Sequence, residues 1–517
     1  MSMLRARIAA GVLLTALAGC TVGPDYRESK AVLPTQWTDH ATQALPVNRS
    51  RTVPDDVDAR WWTAFSDAEL SSLVERVAGA NLDVKVATQR LMQARAARGM
   101  TGADALPALQ GSASYQHARS SQNGLVDISG LNGRSDYNVW QPGIDASWEL
   151  DVWGRVRREI ESADASVQAS ADMRRGVLLS AMAETACDYI QLRGVQAQQA
   201  IVRQNLEIAR QSLALTQIRF ADGVATHLET AEAAAQVSEI EARLPALENQ
   251  RVHLVNALSF LLGEPPRTLE RELDAVHPIP PVPPRVPVGL PSQLAERRPD
   301  ITEAEARLHA ATADVGAAVG DFYPRITLSA NLSLQAMHFD DLDKWSSHMF
   351  GVGPALSVPI FEGGRLKGQL ELRKAQQQET VIEYRRVVLN AWHEVDDAMS
   401  DYDTRQARQV KLDTAVVQDQ VALENARLQY VAGATDFLNV LTVQRDLLDT
   451  QQAKAVSTTE VSLALVGLFK ALGGGWETSF PVASSVKRDS PLRTGNRTSI
   501  DDSVSRPSMT ASDPEER

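Results

Sequence analysis

Apolar and polar side chains alternate strictly along two stretches of the chain. In 326–334, Ile326, Leu328, Ala330, Leu332 and Leu334 stand opposite Thr327, Ser329, Asn331 and Ser333; in 144–150, Ile144, Ala146, Trp148 and Leu150 stand opposite Asp145, Ser147 and Glu149. A period of two puts each set on its own face of a strand. With their neighbours these stretches predict four strands, at about 107–117, 138–150, 324–336 and 350–361. Between them the pattern is helical and free of proline over 155–221 and 365–431, 67 residues each. At 1.5 Å per residue such a helix reaches about 100 Å, far beyond an ordinary globular helix. A return helix over 225–262 reaches about 57 Å and a helix over 81–104 about 36 Å, so the two stacked end to end match the long one. Alanine, glutamine and small residues dominate these helices, as close side-by-side packing requires.

The pattern is written twice. At an offset of 210 residues Gly223 falls on Gly433, Leu228 on Leu438, Glu184 on Glu394, Leu262-Gly263 on Leu472-Gly473, and "DVWGR" at Asp151 on "FEGGR" at Phe361. At an offset of 217 Asp83, Arg90, Leu91 and Pro107 fall on Asp300, Arg307, Leu308 and Pro324. The halves are 61–263, with a long hairpin over 155–262, and 292–476, with a long hairpin over 365–472. Between them, 264–291 holds nine prolines, an extended connector that neither a helix nor a central strand would tolerate.

Alternation over about ten residues suits a transmembrane β-barrel with a wet lumen on the polar side. A soluble sandwich gives the same signal. Four strands, however, cannot hide their own edges, and an open edge in lipid is prohibitive. A membrane reading therefore forces several copies to share one barrel, two supplying about eight strands and three about twelve. An elongated coiled coil without a hole accounts for the helices but not for strand pairs inserted between them.

Composition narrows the classes. Of 517 residues 44% are hydrophobic, 5% aromatic and 23% charged, and a formal charge of −13 argues against nucleic acid, which wants a basic face. Beyond the N-terminus no run approaches the roughly 18 apolar residues of a membrane helix, so none is expected. Arg5 and Arg7 precede an apolar stretch, 8–18, which leads to Leu17-Ala18-Gly19-Cys20. This reads as a secretory signal peptide over 1–19, and its end resembles the bacterial lipobox, after which Cys20 would carry a diacylglyceryl thioether and an N-acyl chain. Two or more chains anchor stably where one does not. Thr21, where an Asp would retain the protein at the inner membrane, resembles lipoproteins sent to the outer one. Cys187, the only other cysteine, lies in a helical pattern without a partner and reads as a small buried apolar residue.

Five blocks carry a likeness to a known family: "CTVGPDY" at Cys20, the run from Arg60 to Leu91, "ELDVWGR" at Glu149, the run from Gly289 to Ala318, and "VPIFEGGRLKGQLELRKAQ" at Val358. From Cys20 to about Trp476 the chain resembles the outer-membrane efflux proteins, the TolC-like channels, in the lipoprotein branch that includes OprM and NodT-type proteins. The resemblance implies a mainly α fold with a β-barrel portion. It would be a homotrimer with four transmembrane strands per chain, a twelve-stranded shared barrel and a long periplasmic α-helical barrel. The lipidated segment 20–60, the connector and the chain end would form an equatorial belt. The implied function is a passive exit duct in a Gram-negative outer membrane for small toxic compounds or drugs. An inner-membrane pump of the RND type and a periplasmic adaptor would dock beneath it. A duct for type I protein secretion is the alternative within the class; a lipid-anchored periplasmic coiled-coil adaptor without a pore is the alternative outside it.

No enzyme is expected, and no cofactor beyond the lipid on Cys20. There is no HExxH, "WHEVDD" at Trp392 lacks a second histidine, "GGGW" at Gly473 lacks the rest of a phosphate loop, and no G-x-S-x-G occurs. Asp396-Asp397 reads as solvated surface. The long helices must reverse at Asp222-Gly223 and Ala432-Gly433, where glycine suits a left-handed helix end. In the family such turns form the periplasmic mouth and meet the adaptor, so Gly223 and Gly433 are the expected contact points. Relatives narrow the mouth with aspartates past the second turn; here the matching positions are Asn439 and Thr442. Their counterparts in the first half are Glu229 and Glu232, on one helix face, and three copies would give an acidic ring whose mutual repulsion favours protons or cations. An exposed acidic face is the other reading. Arg445 and Asp446 are candidates to latch neighbouring chains. The tail, 477–517, rich in Ser, Thr, Pro, Asp and Arg, reads mostly as disordered.

Overall fold

The computed structural model describes residues 21–27, 37, 49–121 and 136–480. Cys20, the signal peptide 1–19 and the tail beyond residue 480 lie outside them. Residues 477–480 do not follow the disordered reading: Glu477 accepts the Gly475 N–H at 2.6 Å, and the Arg174 guanidinium lies 3.8 Å over the Phe480 ring.

Two helices set the length. Helix α1 (Ala68–Ala80) and α2 (Leu82–Ala103) precede the first of them, α3 (Arg155–Ala221), which α4 (His227–Glu241) and α5 (Arg243–Leu261) follow. In the second half α6 (Pro299–Gly320) precedes α7 (Arg365–Val431), and α8 (Phe437–Leu472) follows. Helices α3 and α7 are 67 residues each, as proline-free runs permit, and each starts after a glycine in the left-handed region, Gly154 and Gly364. Asn81 starts α2 by accepting the N–H groups of Asp83 and Val84 at 2.9 and 3.1 Å, an ordinary side-chain cap.

The return arm of the first half is not the single helix expected over 225–262. It divides at Ala242, because Pro245, in the first turn of α5, has no N–H to give the Glu241 carbonyl. The second arm, with Ala455 at the matching place, is unbroken over 36 residues. This α8 also corrects the expectation of no membrane-type helix: it is long and apolar enough by composition. It is the core helix of the fold, with Leu465, Val466, Leu468 and Phe469 buried.

Four strands form one antiparallel sheet, in the order β2 (Ala108–Arg119), β3 (Asp136–Leu150), β5 (Arg325–Leu334) and β6 (His348–Ser357). Elsewhere β1 (Arg51–Val53) pairs in parallel with β4 (Arg285–Pro287) of the proline-rich connector. Ala108 faces Ser147 in the first hairpin and Arg325 faces Ser357 in the second. These are the same pair under the two sequence offsets, so both hairpins share one register. The last strand was expected over 350–361 but ends at Ser357, because β5 begins at Arg325 and offers no partner beyond it. The apolar row of the sheet, Leu109, Ile144, Leu332, Val352 and Leu356 among it, is exposed. Among the described residues no second layer covers it, unlike the inner face of a sandwich, which a second sheet buries.

The largest core lies midway along the long helices, where α1 and the segment before it dock on α3 and α8. Trp61, Trp62 and Phe65 are buried there, and Trp61 stacks on Phe469 at 5.6 Å. Arg193 of α3 is fully buried; it pairs with Glu69 and donates to the Ala275 carbonyl at 2.6 Å. The Tyr189 hydroxyl donates to Asp67, the cap of α1, at 3.0 Å. Cys187 turns out half-buried at the flank of this core, where burial pushes its thiol up to about 11. Asp396 is half-buried and Asp397 exposed.

Candidate functional site

The two helix reversals are built alike. Gly223 donates to the Phe220 carbonyl at 3.0 Å and Val224 to the Arg219 carbonyl at 2.8 Å; Gly433 donates to Tyr430 at 3.0 Å and Ala434 to Gln429 at 2.8 Å. Both are Schellman ends. The glycines have φ of +74° and +73°, and a Cβ on either would meet nothing within 4 Å. Backbone conformation, not crowding, demands glycine here.

The next helices are capped with the charge in different places. Thr226 accepts the Glu229 N–H at 3.3 Å while the Glu229 carboxylate accepts the Thr226 N–H at 2.7 Å, a capping box. At the second tip Asp436 does the work of Thr226, accepting the Asn439 N–H at 3.1 Å. Each tip thus carries one carboxylate at a positive helix end, moved by three positions. Glu229 is half-buried and engaged by its own helix start, and Glu232 is half-buried one turn on. Asn439, Thr442, Arg445 and Asp446 are exposed along α8; Asn439 donates to Thr435 at 3.3 Å and Thr442 to the Leu438 carbonyl at 2.9 Å.

Two residues that the sequence did not single out join the tips. The Arg219 guanidinium lies 4.7 Å over the Tyr430 ring, and that ring packs on buried Phe437 at 5.2 Å. Burial first, then the charge of Glu229, push the Tyr430 phenol above its usual value, with Arg219 pulling the other way. Ala233 of α4 shares a small core here with Val440 and Leu441 of α8. The outer surfaces of the tips are apolar at matching positions: Ile218 and Leu428, and Leu228 and Leu438, are all exposed.

At the sheet end of the long helices, residues 21–27 form a strap. The Val22 N–H donates to the Trp153 carbonyl at 3.0 Å and Arg158 to Asp25 at 2.5 Å. Tyr26 stacks on His309 at 4.3 Å and donates to Glu305 at 2.8 Å. Thr21 lies so close to Gly154, just past β3, that a Cβ there would come within 2.7 Å of its methyl. Midway along the long helices a cavity of about 980 Å³ is lined by carboxylates including Glu184, Glu303 and Asp397, with Arg298 and Lys470. Among the described residues no group of three or more His, Cys, Asp or Glu could hold a metal ion.

Residues 73–264 and 290–474 match the model of a family described as outer membrane efflux protein. The chain is similar to the pyoverdine export outer membrane protein OpmQ of Pseudomonas aeruginosa, 34% identical over 92% of this chain and 98% of that one. It is also similar to the outer membrane protein OprJ of the same organism, 31% identical over 91% and 96%. Among solved structures, the outer-membrane channel OprN superimposes with a TM-score of 0.80 at 34% identity, over 89% of this chain and 100% of that one.

Proposed function

This chain belongs to the outer membrane efflux protein family, and from that premise we propose that three copies close into one passive duct across the outer membrane and periplasm. Such a duct performs no covalent chemistry. It gives small toxic compounds or drugs a walled route outward, and an inner-membrane pump of the RND type with its periplasmic adaptor does the work and chooses the cargo. The adaptor meets the tips at Gly223 and Gly433, against the exposed leucines and isoleucine beside them. The lipid on Cys20 holds the strap at the bilayer, which the seat of Thr21 beside the base of the sheet supports.

The observation that carries this reading is a four-stranded sheet whose apolar face is uncovered and whose two edges, β2 and β6, have no partner among the described residues. In lipid such edges must be closed. The chain supplies a template for closing them, since β3 of the first half already pairs with β5 of the second. Carried through the two offsets, that register sets β6 against β2 of a neighbouring copy, with Gly353 opposite Gln116, Ala355 opposite Ser114 and Ile360 opposite Leu109. The pairing also accounts for the strand-like sequence 358–361, which has no partner strand among the described residues of one chain.

The test is mass and conductance together. Protein extracted from outer membranes in detergent is expected to run as three copies, to fall to one on heating, and to open discrete conductance steps in a planar bilayer. A single copy that stays water-soluble and gives no conductance overturns the proposal.

A further inference from the structure

We infer that neighbouring copies also meet along α2 of one and α7 of the next, and that the closest point of this joint is a glycine–glycine crossing, Gly99 against Gly368. The inference rests on the several-copy reading above and adds where the helices touch and how tightly.

The template is inside the chain. Helix α6 runs antiparallel between α3 and α7, and on its α3 side Gly316 faces Arg158: a Cβ on Gly316 would lie 2.9 Å from the Arg158 Cδ and Nε. Gly320 faces Arg155 in the same way, and His309 reaches Glu161 at 2.9 Å. In the first half α2 is the counterpart of α6. It packs on its own long helix, as Arg98 to Asp164 at 2.7 Å shows, but among the described residues the place that α3 takes beside α6 has no occupant beside α2. Under the two offsets the missing neighbour is α7. Gly316 becomes Gly99 and Arg158 becomes Gly368.

Burial points the same way, position by position. Asp172 is 0% exposed and Leu179 7%, yet their counterparts on α7, Ile382 and Leu389, are 64% and 52% exposed. Pro299 is buried and its counterpart Leu82 is exposed. The same register sets Lys85 level with Glu383 and Arg95 level with Glu371, opposite charges in both cases. Gly99 and Gly368 are themselves unexplained by the single chain: both sit within helices, where glycine weakens the structure, and a Cβ on either would meet nothing within 4 Å.

The strap shows why the two kinds of joint differ. Within the chain the α3–α6 groove is filled from outside: a Cβ on Gly23 would come 2.5 Å from the Gly316 Cα, and Arg158 reaches out to Asp25. Each chain has one such strap and uses it on its own groove. At this level the groove between copies has no strap, and Gly368 stands where Arg158 does; with glycine on both walls the helices close there until backbone meets backbone, since helix separation follows the side chains at the contact. Around the tube, strapped joints then alternate with bare glycine joints.

The test is a full-length chain carrying both Gly99→Cys and Gly368→Cys, oxidised mildly in outer membranes. Cysteines whose Cα atoms lie within about 7 Å can bridge, so the double variant is expected to form covalent trimers that reducing agent dissolves, and neither single variant does. Ser114→Cys with Ala355→Cys reports the strand joint independently. If the strand pair bridges and the glycine pair does not, the glycine crossing is wrong and the shared barrel stands; if neither bridges, both are wrong. Should the cysteines impair folding, Gly99→Leu decides: it is expected to reduce the detergent-resistant trimer at least tenfold. Gly79→Leu, equally open in the single chain, leaves the trimer unchanged. Unaltered trimer in Gly99→Leu overturns the inference.

Discussion

Asn81 and Arg298 tie the same joint in the two halves. The Asn81 amide donates to the Leu261 carbonyl at 2.9 Å and the Arg298 guanidinium to the Ala471 carbonyl at 2.8 Å, and both donor and acceptor pairs are related by the sequence offsets. In each half the start of the short helix is bonded to the end of the return arm, so the two stack into one column beside the long helix. Arg298 does more, holding Asp300 and Glu394 at 2.7 Å each. Arg298→Leu is expected to lower stability by about 2 kcal/mol, through the lost charged bonds and a buried carbonyl left unpaired. Arg298→Asn, which copies the first half, restores part of it. Thermal unfolding in detergent reads both.

The reversals offer a second test. Gly223→Val or Gly433→Val places a β-branched residue at positive φ and is expected to cost about 1–2 kcal/mol locally. The cost is paid at the tip, not by the whole fold. Amide hydrogen exchange should quicken across 219–226 or 429–436 and stay unchanged in the α1–α3 core, with resistance to exported compounds lost in parallel.

Glu229 has two separable roles. Glu229→Gln keeps a capping box, which accepts glutamine, but removes the charge; Glu229→Ala removes both and should cost about 1 kcal/mol of local stability. If three copies line the mouth with Glu229 and Glu232, neutralising both to Gln raises single-channel conductance or weakens cation block, at a stability cost below about 1 kcal/mol from the lost charge at the helix start. Unchanged conductance and block would assign the pair to capping and solvation alone.

The fourth prediction concerns pH. Burial first, and then the neighbouring Glu184, raise the Asp188 carboxyl to about 6. The folded state therefore holds this proton more tightly than the unfolded chain, whose value lies near 4. Its contribution is fully present below about pH 4 and is lost as pH rises through about 6. Asp188→Asn is expected to gain about 1 kcal/mol at pH 7.5 after allowance for partial exposure, and little at pH 4. Melting temperatures of both proteins across pH 4–7.5 check this; a parallel pH dependence in the two would refute it.

The long helices and three of the four strands are legible in the sequence because their causes are local. Proline-free runs bounded by glycine define α3 and α7, and period-two alternation defines β2, β3 and β5. The end of β6 is not legible, since it depends on where a partner strand begins. The break at Ala242 could have been read from Pro245 and was masked by the repeat, because Ala455 carries no such signal. At the tips the glycines were legible, and so in principle was the Thr226-x-x-Glu229 capping box. The Arg219–Tyr430 contact was not, because nothing in either residue's neighbourhood announces a partner about 200 positions away. Asn81 and Arg298 escaped notice for a related reason: one bond to a carbonyl can be made by side chains that share no chemistry except an N–H.

Pro245 leaves the Glu241 carbonyl outside the helical ladder from the start. Tilting the fifteen residues of α4 at that level ruptures no intrahelical bond, whereas bending α8 at the matching level ruptures one. The first return arm therefore has a joint at this level that the second lacks, so a change of angle between tip and core costs less in the first arm than in the second.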